Sequence, residues 1–205
     1  MVCNGVDRKD GRLGNRLKPE AFTELLALAR RLGASDAAII GSSQICIEDE
    51  LARLCAEPQC ENYGASANCP PHVSGPSGFR ELLKIYEQAI VFKIEVPSAV
   101  LFSPVEGAEV FGLLQEIAAN LEREAQRIGQ VRAKAFAGNC CKKLFCADYP
   151  RCRVLHEGGK CRNPHLARPS MSGFGINVSK LIQAAGWPKC DDTAIGTLCG
   201  LILID

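Results

Sequence analysis

The segment LCAEPQCENYGASANCPPH, residues 54–72, and the segment FCADYPRCRVLHEGGKCRNPH, residues 145–165, carry nearly the same cysteine pattern. In the first segment, steps of five and nine residues separate three cysteines: Cys55, Cys60 and Cys69. In the second, the steps are six and nine residues: Cys146, Cys152 and Cys161. A proline and then a histidine follow the last cysteine of both segments within four residues. The shared spacing and flanks predict two equivalent metal-binding loops.

The sequence around the first cysteine loop predicts a helix, a strand, the loop, a second helix and a second strand. An apolar stripe at helical spacing indicates a helix between Pro19 and Gly33, and a strand follows at residues 36–40. The strand resumes as QICI after a short interruption. Beyond the loop, a second stripe predicts a helix with Ser77 as its N-cap, and residues 89–96 are typical of a buried strand.

The second half repeats this order. Its pattern predicts a long helix over residues 105–128 and a strand over residues 130–138, directly before the second cysteine loop. A short helix over residues 177–186 and a strand at residues 197–204 follow that loop. Cys199 alternates within the last strand and is predicted to be a small core residue.

The repeated order predicts an internally duplicated α+β fold. Two pseudo-repeats, at about 18–97 and 105–205, would contribute two strands each to one four-stranded sheet with packed helices. No Ser- or Pro-rich linker separates the halves, so we predict a single domain over residues 1–205. Each cysteine loop leaves the end of a strand, and the sequence leaves open whether the two loops meet.

The overall composition is that of an ordinary globular protein. The 205 residues are 47% hydrophobic and 23% charged, and the net charge of +1 gives no field that favours nucleic acid. The longest apolar runs are too short to span a membrane, and the first residues lack the apolar core of a signal peptide. We therefore predict a cytoplasmic protein without nucleic-acid or membrane partners. In that compartment thiols stay reduced, so its twelve cysteines favour metal binding over disulfides.

The cysteines that precede each loop differ between the halves. Cys46 lies nine residues before Cys55, whereas Cys140 and Cys141 come just after the strand of the second half. A site with four thiolates would recruit Cys46 in the first half and Cys140 or Cys141 in the second, although ligands also cross between sites in two-cluster ferredoxins. Because Cys140 leads into the second loop over a short run, we expect it to close that site. Whether Cys46 reaches the first loop stays open.

The spacing favours an iron–sulfur cluster over zinc. Structural zinc sites use close C-x2-C pairs, and neither loop contains one. An iron–sulfur cube is larger and accepts more varied spacing, and a proline follows a cluster cysteine in bacterial ferredoxins, as Pro70 follows Cys69. Zinc and inert buried thiols are the alternatives.

Two segments resemble an uncharacterised family of predicted metal-binding proteins that is common in anaerobic bacteria and archaea. They are CENYGASANCPP, which includes Cys69-Pro70-Pro71, and CRNPHLARPSMSGFGINV, which includes the stretch from Arg168 to Val178. The resemblance runs from about Cys46 to the end of the chain. It implies metal binding through the cysteines, as iron–sulfur clusters, and it supplies no reaction.

Spacing and resemblance together predict two 4Fe–4S clusters held by cysteines: Cys46, Cys55, Cys60, Cys69, Cys140, Cys146, Cys152 and Cys161. Such a protein would transfer electrons between soluble redox partner proteins in anaerobic metabolism. One alternative is an enzyme in which the three-cysteine first loop leaves one iron open to substrate. The other is a structural zinc protein.

Three further features of the sequence bear on function: an anion-binding pair, the charges around the loops and two cysteines outside them. Arg168 and Ser170 lie shortly before the last helix and could hold an anion. A loop packed beneath the cluster explains the nearby Gly173 and Gly175 equally well. Cations surround the second loop and acidic residues the first, which indicates charge compensation or the docking of an acidic redox partner. Cys3 is expected in a terminal segment, and Cys190 is expected to be a loop thiol.

Overall fold

The computed structural model describes residues 19–188 and 192–205. Within this part of the chain, four strands form one antiparallel sheet in the order β1-β2-β4-β3. The strands are β1 (Asp36–Gly41), β2 (Gln88–Pro97), β3 (Lys134–Phe136) and β4 (Ile195–Ile204). The two central strands pair along their whole length, from Gln88 opposite Ile204 to Pro97 opposite Ile195. The predicted α+β class with a four-stranded sheet is confirmed.

Helices precede and connect these strands. They are α1 (Pro19–Arg31), α2 (Asp49–Arg53), α3 (Gly75–Leu83), α4 (Ser98–Phe102), α5 (Pro104–Arg127), α6 (Cys141–Phe145), α7 (Arg153–Glu157) and α8 (Val178–Ala184). Two short 3-10 helices lie at Ser42–Gln44 and Met171–Phe174. None of the helices in the described ranges has the length and apolar character needed to cross a membrane.

Helices α1 and α5 cover one face of the sheet. Successive side chains of a strand point to opposite faces, so Ile90, Phe92 and Ile94 of β2 all lie on this side. They pack against buried residues of the two helices, among them Leu25 of α1 and Leu121 of α5. Burying a side chain of this size stabilises the fold by about 1.5–3 kcal/mol. This layer holds the sheet together, and none of the cysteines within the described ranges belongs to it.

The opposite face of the sheet supports the cysteine loops. Three buried rings meet there: Phe79 of α3, Phe136 of β3 and Phe174 of the second 3-10 helix. Their ring centroids lie 5.0 to 5.2 Å apart, a spacing at which aromatic pairs attract one another. The contact fixes three segments that lead into or out of the cysteine loops.

Three local predictions are wrong. The strand predicted over residues 130–138 is only Lys134–Phe136, because a turn in which the Ala133 N–H donates to Gln130 O precedes it. The QICI segment, residues 44–47, is not a regular strand: Gln44 ends the 3-10 helix Ser42–Gln44, and Ile47 forms an isolated bridge with Ile176. Helix α3 begins at Gly75, with Ser74 rather than Ser77 as N-cap, because the proline after Gly75 suits the first turn.

The two halves follow the same order of elements, and the sheet is arranged symmetrically. The first strand of each half, β1 or β3, lies at an edge, and the second, β2 or β4, lies in the centre. The internal duplication and the single-domain organisation remain predictions.

Candidate metal centres

The first cysteine loop lines a cavity of about 90 Å³ together with one cysteine from the second half. The thiols around it are Cys55, Cys60, Cys69 and Cys140. Cys55 follows α2, and a series of turns leads from it to Cys69; in one of them the Cys60 N–H donates to Cys55 O at 3.0 Å. Ser170 and Ser172 complete part of the wall. Four thiols therefore converge on one cavity.

The second loop lines a smaller cavity, of about 20 Å³. Its thiols are Cys141, Cys146, Cys152 and Cys161. Cys141 is the first residue of α6, and Cys152 is the N-cap of α7. Cys146, Cys152 and Cys161 are half-buried, whereas Cys141 is buried. Each cavity is thus lined by three cysteines of its own loop and one of the adjacent pair.

Adjacent residues Cys140 and Cys141 point into different cavities. Cys140 has an extended backbone, with φ −101° and ψ 118°, and successive side chains of an extended chain point in opposite directions. Asn139 before it is left-handed, with φ 63°, and its side-chain oxygen accepts from the Cys140 N–H at 2.7 Å. Cys140 therefore lies in the first cavity and not, as the sequence led us to expect, in the second, where Cys141 takes its place.

Hydrogen bonds favour the thiolate at Cys140. The Cys69 thiol donates to the Cys140 sulfur, and the backbone N–H groups of Lys143 and Lys142 point at it as well. These contacts outweigh burial and lower the pKa of Cys140, while the same bond raises the pKa of Cys69. Burial raises the pKa of Cys141 to about 11. A metal that binds these cysteines must release their protons, so its affinity increases with pH.

Ser66 and Asn68 of the first loop lie between the two cavities. Ser66 is 1% exposed, its Oγ lies 3.8 Å from Cys140 Sγ, and it also hydrogen-bonds the thiols of Cys69 and Cys141. Asn68 Nδ2 lies 3.6 Å from Cys141 Sγ. The two sites therefore adjoin and share part of one wall.

A family model described as "Predicted metal-binding protein (DUF2284)" matches residues 38–204. The chain belongs to this family. The match includes both cysteine loops and the cysteine pair that links them, and it confirms the resemblance seen in the sequence. A search of curated proteins and a search of solved structures each found no match.

Asn163 contacts two thiols of the second site in this predicted metal-binding protein. Its Nδ2 donates to Cys146 Sγ at 3.1 Å, and its backbone N–H donates to Cys161 Sγ at 3.4 Å. Such donors stabilise negative charge on sulfur. Sequence reasoning missed Asn163, Asn68 and Ser66, because nothing in the sequence distinguishes these residues from ordinary loop residues.

Cys46 lies apart from both groups of thiols. It is buried, it forms a disulfide, and it lines neither cavity. Its backbone carbonyl accepts from the Asn177 N–H at 2.9 Å, which fixes the chain before α2. Cys46 thus departs from the expectation of reduced thiols throughout, and its role as a ligand stays a prediction. Cys3 and Cys190 lie outside the described residues.

The predicted anion-binding pair is divided between two environments. The Arg168 guanidinium is buried; it pairs with Glu122 at 2.6 Å and donates to the carbonyl oxygens of Pro164 and Ala167. Ser170 is also buried and lines the first cavity. The contacts of Arg168 therefore hold the loop to α5, and only Ser170 faces a candidate site. Cys199 packs in the core, as expected.

The thiols are not arranged around a single ion. Among residues 19–188 and 192–205, no three His, Cys, Asp or Glu side chains form a group that could hold one metal ion. A tetrahedral zinc site with bonds of about 2.3 Å requires sulfurs only about 3.8 Å apart. In a cubane cluster each thiolate binds a different iron, so the thiolates lie farther apart. Four thiols line each cavity, which is the number of cysteines that such a cluster takes.

Proposed function

We propose that this protein carries two 4Fe–4S clusters and transfers electrons between soluble partners. The observation that carries the proposal is the pair of adjoining cavities, each lined by four cysteines. Four cysteine thiolates are the usual ligand set of a 4Fe–4S cluster. A role in anaerobic metabolism and a cytoplasmic location belong to the same proposal.

In this proposal each site has its own set of four ligands. Cys55, Cys60, Cys69 and Cys140 would hold the first cluster, and Cys141, Cys146, Cys152 and Cys161 the second. When bound, such a cluster supplies one-electron redox chemistry. The second cavity is the smaller one, so its half-buried loop cysteines would have to move outward to hold a cubane cluster.

The arrangement suits a relay of electrons between the sites. Cys140 and Cys141 are adjacent residues, whose Cα atoms are about 3.8 Å apart. Ser66 contacts thiols of both sites. An electron that moved between the sites would cross the side chains of these two cysteines and the single peptide unit that joins them.

The same arrangement weakens the enzyme alternative. That alternative was motivated by a first loop with three thiolates and no local fourth. Cys140 lines the first cavity, so a cluster there has a cysteine for every iron. No open iron is then required.

Anaerobic purification followed by iron, sulfide and zinc analysis tests the proposal. We expect a brown protein with about eight irons and about eight acid-labile sulfides per chain, if both sites hold a cubane. Reduction with dithionite should produce an electron paramagnetic resonance signal of two interacting clusters, because the sites adjoin. A colourless protein with stoichiometric zinc and no sulfide would contradict the proposal.

A further inference from the structure

The two cysteine loops carry opposite charges. Residues 141–162 contain six cations and two anions, whereas residues 48–61 contain five anions and one cation. We use the name basic rim for five cations of the second loop: Lys142, Arg151, Arg153, Lys160 and Arg162. The sixth, Lys143, pairs with Glu61 of the first loop.

The basic rim surrounds the second site directly. Lys142, Arg153 and Arg162 themselves line the second cavity, next to its cysteines. Arg151 and Lys160 are exposed and immediately precede Cys152 and Cys161. A molecule that covers the rim therefore lies within a side chain's length of the site.

Compensation of the cluster's charge does not account for the rim. Both sites offer four cysteine thiolates, so the same cluster would bring the same negative charge to each. Within the described part of the chain, no cation lines the first cavity, whereas three line the second. Cations at the second site alone are better explained by something that binds there.

An exposed aromatic ring lies at the rim. Tyr149 is 46% exposed, and the Arg162 guanidinium stacks over its ring at 4.2 Å from the centroid. Tyrosine and arginine are enriched at the energetically important positions of interfaces. Arg162 also pairs with Glu157 at 3.2 Å, and the same carboxylate lies 3.5 Å from Arg153. The carboxylates of a partner would therefore be bound chiefly by Lys142, Arg151 and Lys160.

We propose that the basic rim docks a small acidic electron-carrier protein, which exchanges one electron with the second site. The inference rests on the proposed function. In the exchange, the reduced carrier loses one electron and the second site gains it, and no bond is formed or broken. Complementary charge chiefly accelerates the encounter of such partners and makes it depend on salt.

Calorimetric titration of the loaded protein with an acidic plant-type two-iron ferredoxin tests the surface. The variant carries Arg151→Glu and Lys160→Glu, which alter the rim without touching a cavity wall. Its matched control carries Arg31→Glu and Lys84→Glu, two exposed cations outside the second loop. At low ionic strength we expect the rim variant to bind at least about fivefold more weakly than the wild type, and the control to bind equally well.

Three results would overturn the docking surface. The first is that the ferredoxin does not bind. The second is that the rim variant and the control variant bind the ferredoxin equally weakly. The third is that a single-stranded oligonucleotide binds as tightly as the ferredoxin and loses its binding in the rim variant. A variant with the milder changes Arg151→Gln and Lys160→Gln should lose about half as much binding free energy for the ferredoxin. A loss that follows the change of charge in this way excludes misfolding as the cause. Iron and sulfide contents are measured on every sample. Failure of the electron-transfer proposal appears there as missing cluster, whereas failure of the docking surface appears only in the binding data.

Discussion

Cys140 and Cys141 show how one backbone conformation distributes ligands. The left-handed Asn139 turns the chain out of β3, and the extended Cys140 then directs two neighbouring thiols to opposite sides. Spacing along the sequence could not have assigned them, because both lie within six residues of Cys146. Cys140 is extended whereas Cys141 already begins α6, and this change of conformation between the two residues is not visible in the sequence.

Double substitution tests this assignment. Cys140→Ser and Cys60→Ser belong to the same site, so we expect each alone, and both together, to remove the same metal from the protein. Cys140→Ser combined with Cys152→Ser should instead remove the metal of both sites. The measurement is metal content per chain, and Cys199→Ser, a core thiol away from both cavities, is the control. Retention of half the metal in the Cys140→Ser, Cys152→Ser variant would show that these cysteines share a site.

Gly175 is a second position where a single residue shapes the site. It has φ +68°, and a Cβ there would lie 2.3 Å from the carbonyl oxygen of Glu48. Its own carbonyl accepts from the Glu48 N–H at 2.8 Å. The close approach ties the 3-10 helix beneath the first cavity to the segment that enters α2.

We expect Gly175→Ala to destabilise the protein by about 3 kcal/mol or more, because the left-handed backbone and the clash add together. Gly158→Ala is the matched control, since Gly158 has φ +61° and nothing within 4 Å of the added carbon. It should cost only about 1 kcal/mol. Urea unfolding measures both, and equal costs would mean that the contact with Glu48 is not tight.

At the scale of elements, α5 holds the chain that connects the two sites. Gln115 is fully buried in the middle of α5. Its Nε2 donates to the carbonyl oxygens of Gly138 and Arg168 at 2.9 and 3.3 Å, and its Oε1 accepts from the Arg168 N–H at 2.7 Å. One side chain thus satisfies the backbone on both sides of the second loop.

Replacing Gln115 with Leu leaves three backbone groups buried without these partners. We expect a loss of about 3 kcal/mol in the free energy of unfolding and weaker metal retention at both sites. Gln126→Leu makes the same chemical change at an exposed residue of α5 with a single hydrogen bond, to Ala133 O, and should cost less than about 1 kcal/mol. Thermal unfolding and metal release into a chelator are the measurements. Similar losses in both variants would contradict the role of Gln115.

Helices and strands whose apolar residues recur at regular spacing could be predicted from the sequence. Elements that depend on contacts between residues far apart in the sequence could not. The long helix predicted over residues 105–128 is Pro104–Arg127, and the strand predicted at residues 89–96 is Gln88–Pro97. The strand predicted over residues 130–138 is mostly a turn, and Val131 is 78% exposed, because alternation alone does not show where sheet pairing begins. For the candidate site, spacing predicted three thiols of each cavity. The fourth depends on tertiary structure.

On the scale of the whole molecule, metal binding is linked to folding. Both cavities bring together thiols from separate segments, and such a site does not exist in the unfolded chain. We therefore expect removal of the metal by a chelator under anaerobic conditions to lower the unfolding temperature by well over 10 °C. The Cys60→Ser, Cys152→Ser variant, which lacks a ligand in each site, should unfold near the metal-free temperature whether or not metal is present. Identical unfolding temperatures of the loaded and the metal-free wild type would contradict the coupling of metal binding to folding.

The crossing of Cys140 to the first loop has a consequence for chain topology. Cys69 and Cys140 are 71 residues apart, and the chain between them contains α3, β2, α4, α5 and β3. A cluster bound at the first site would close this stretch into a ring, much as a disulfide does. Closing a ring of that length restricts the unfolded chain by about 4 kcal/mol in the chain-entropy view. The first centre would then cross-link the two halves of the protein in addition to carrying an electron.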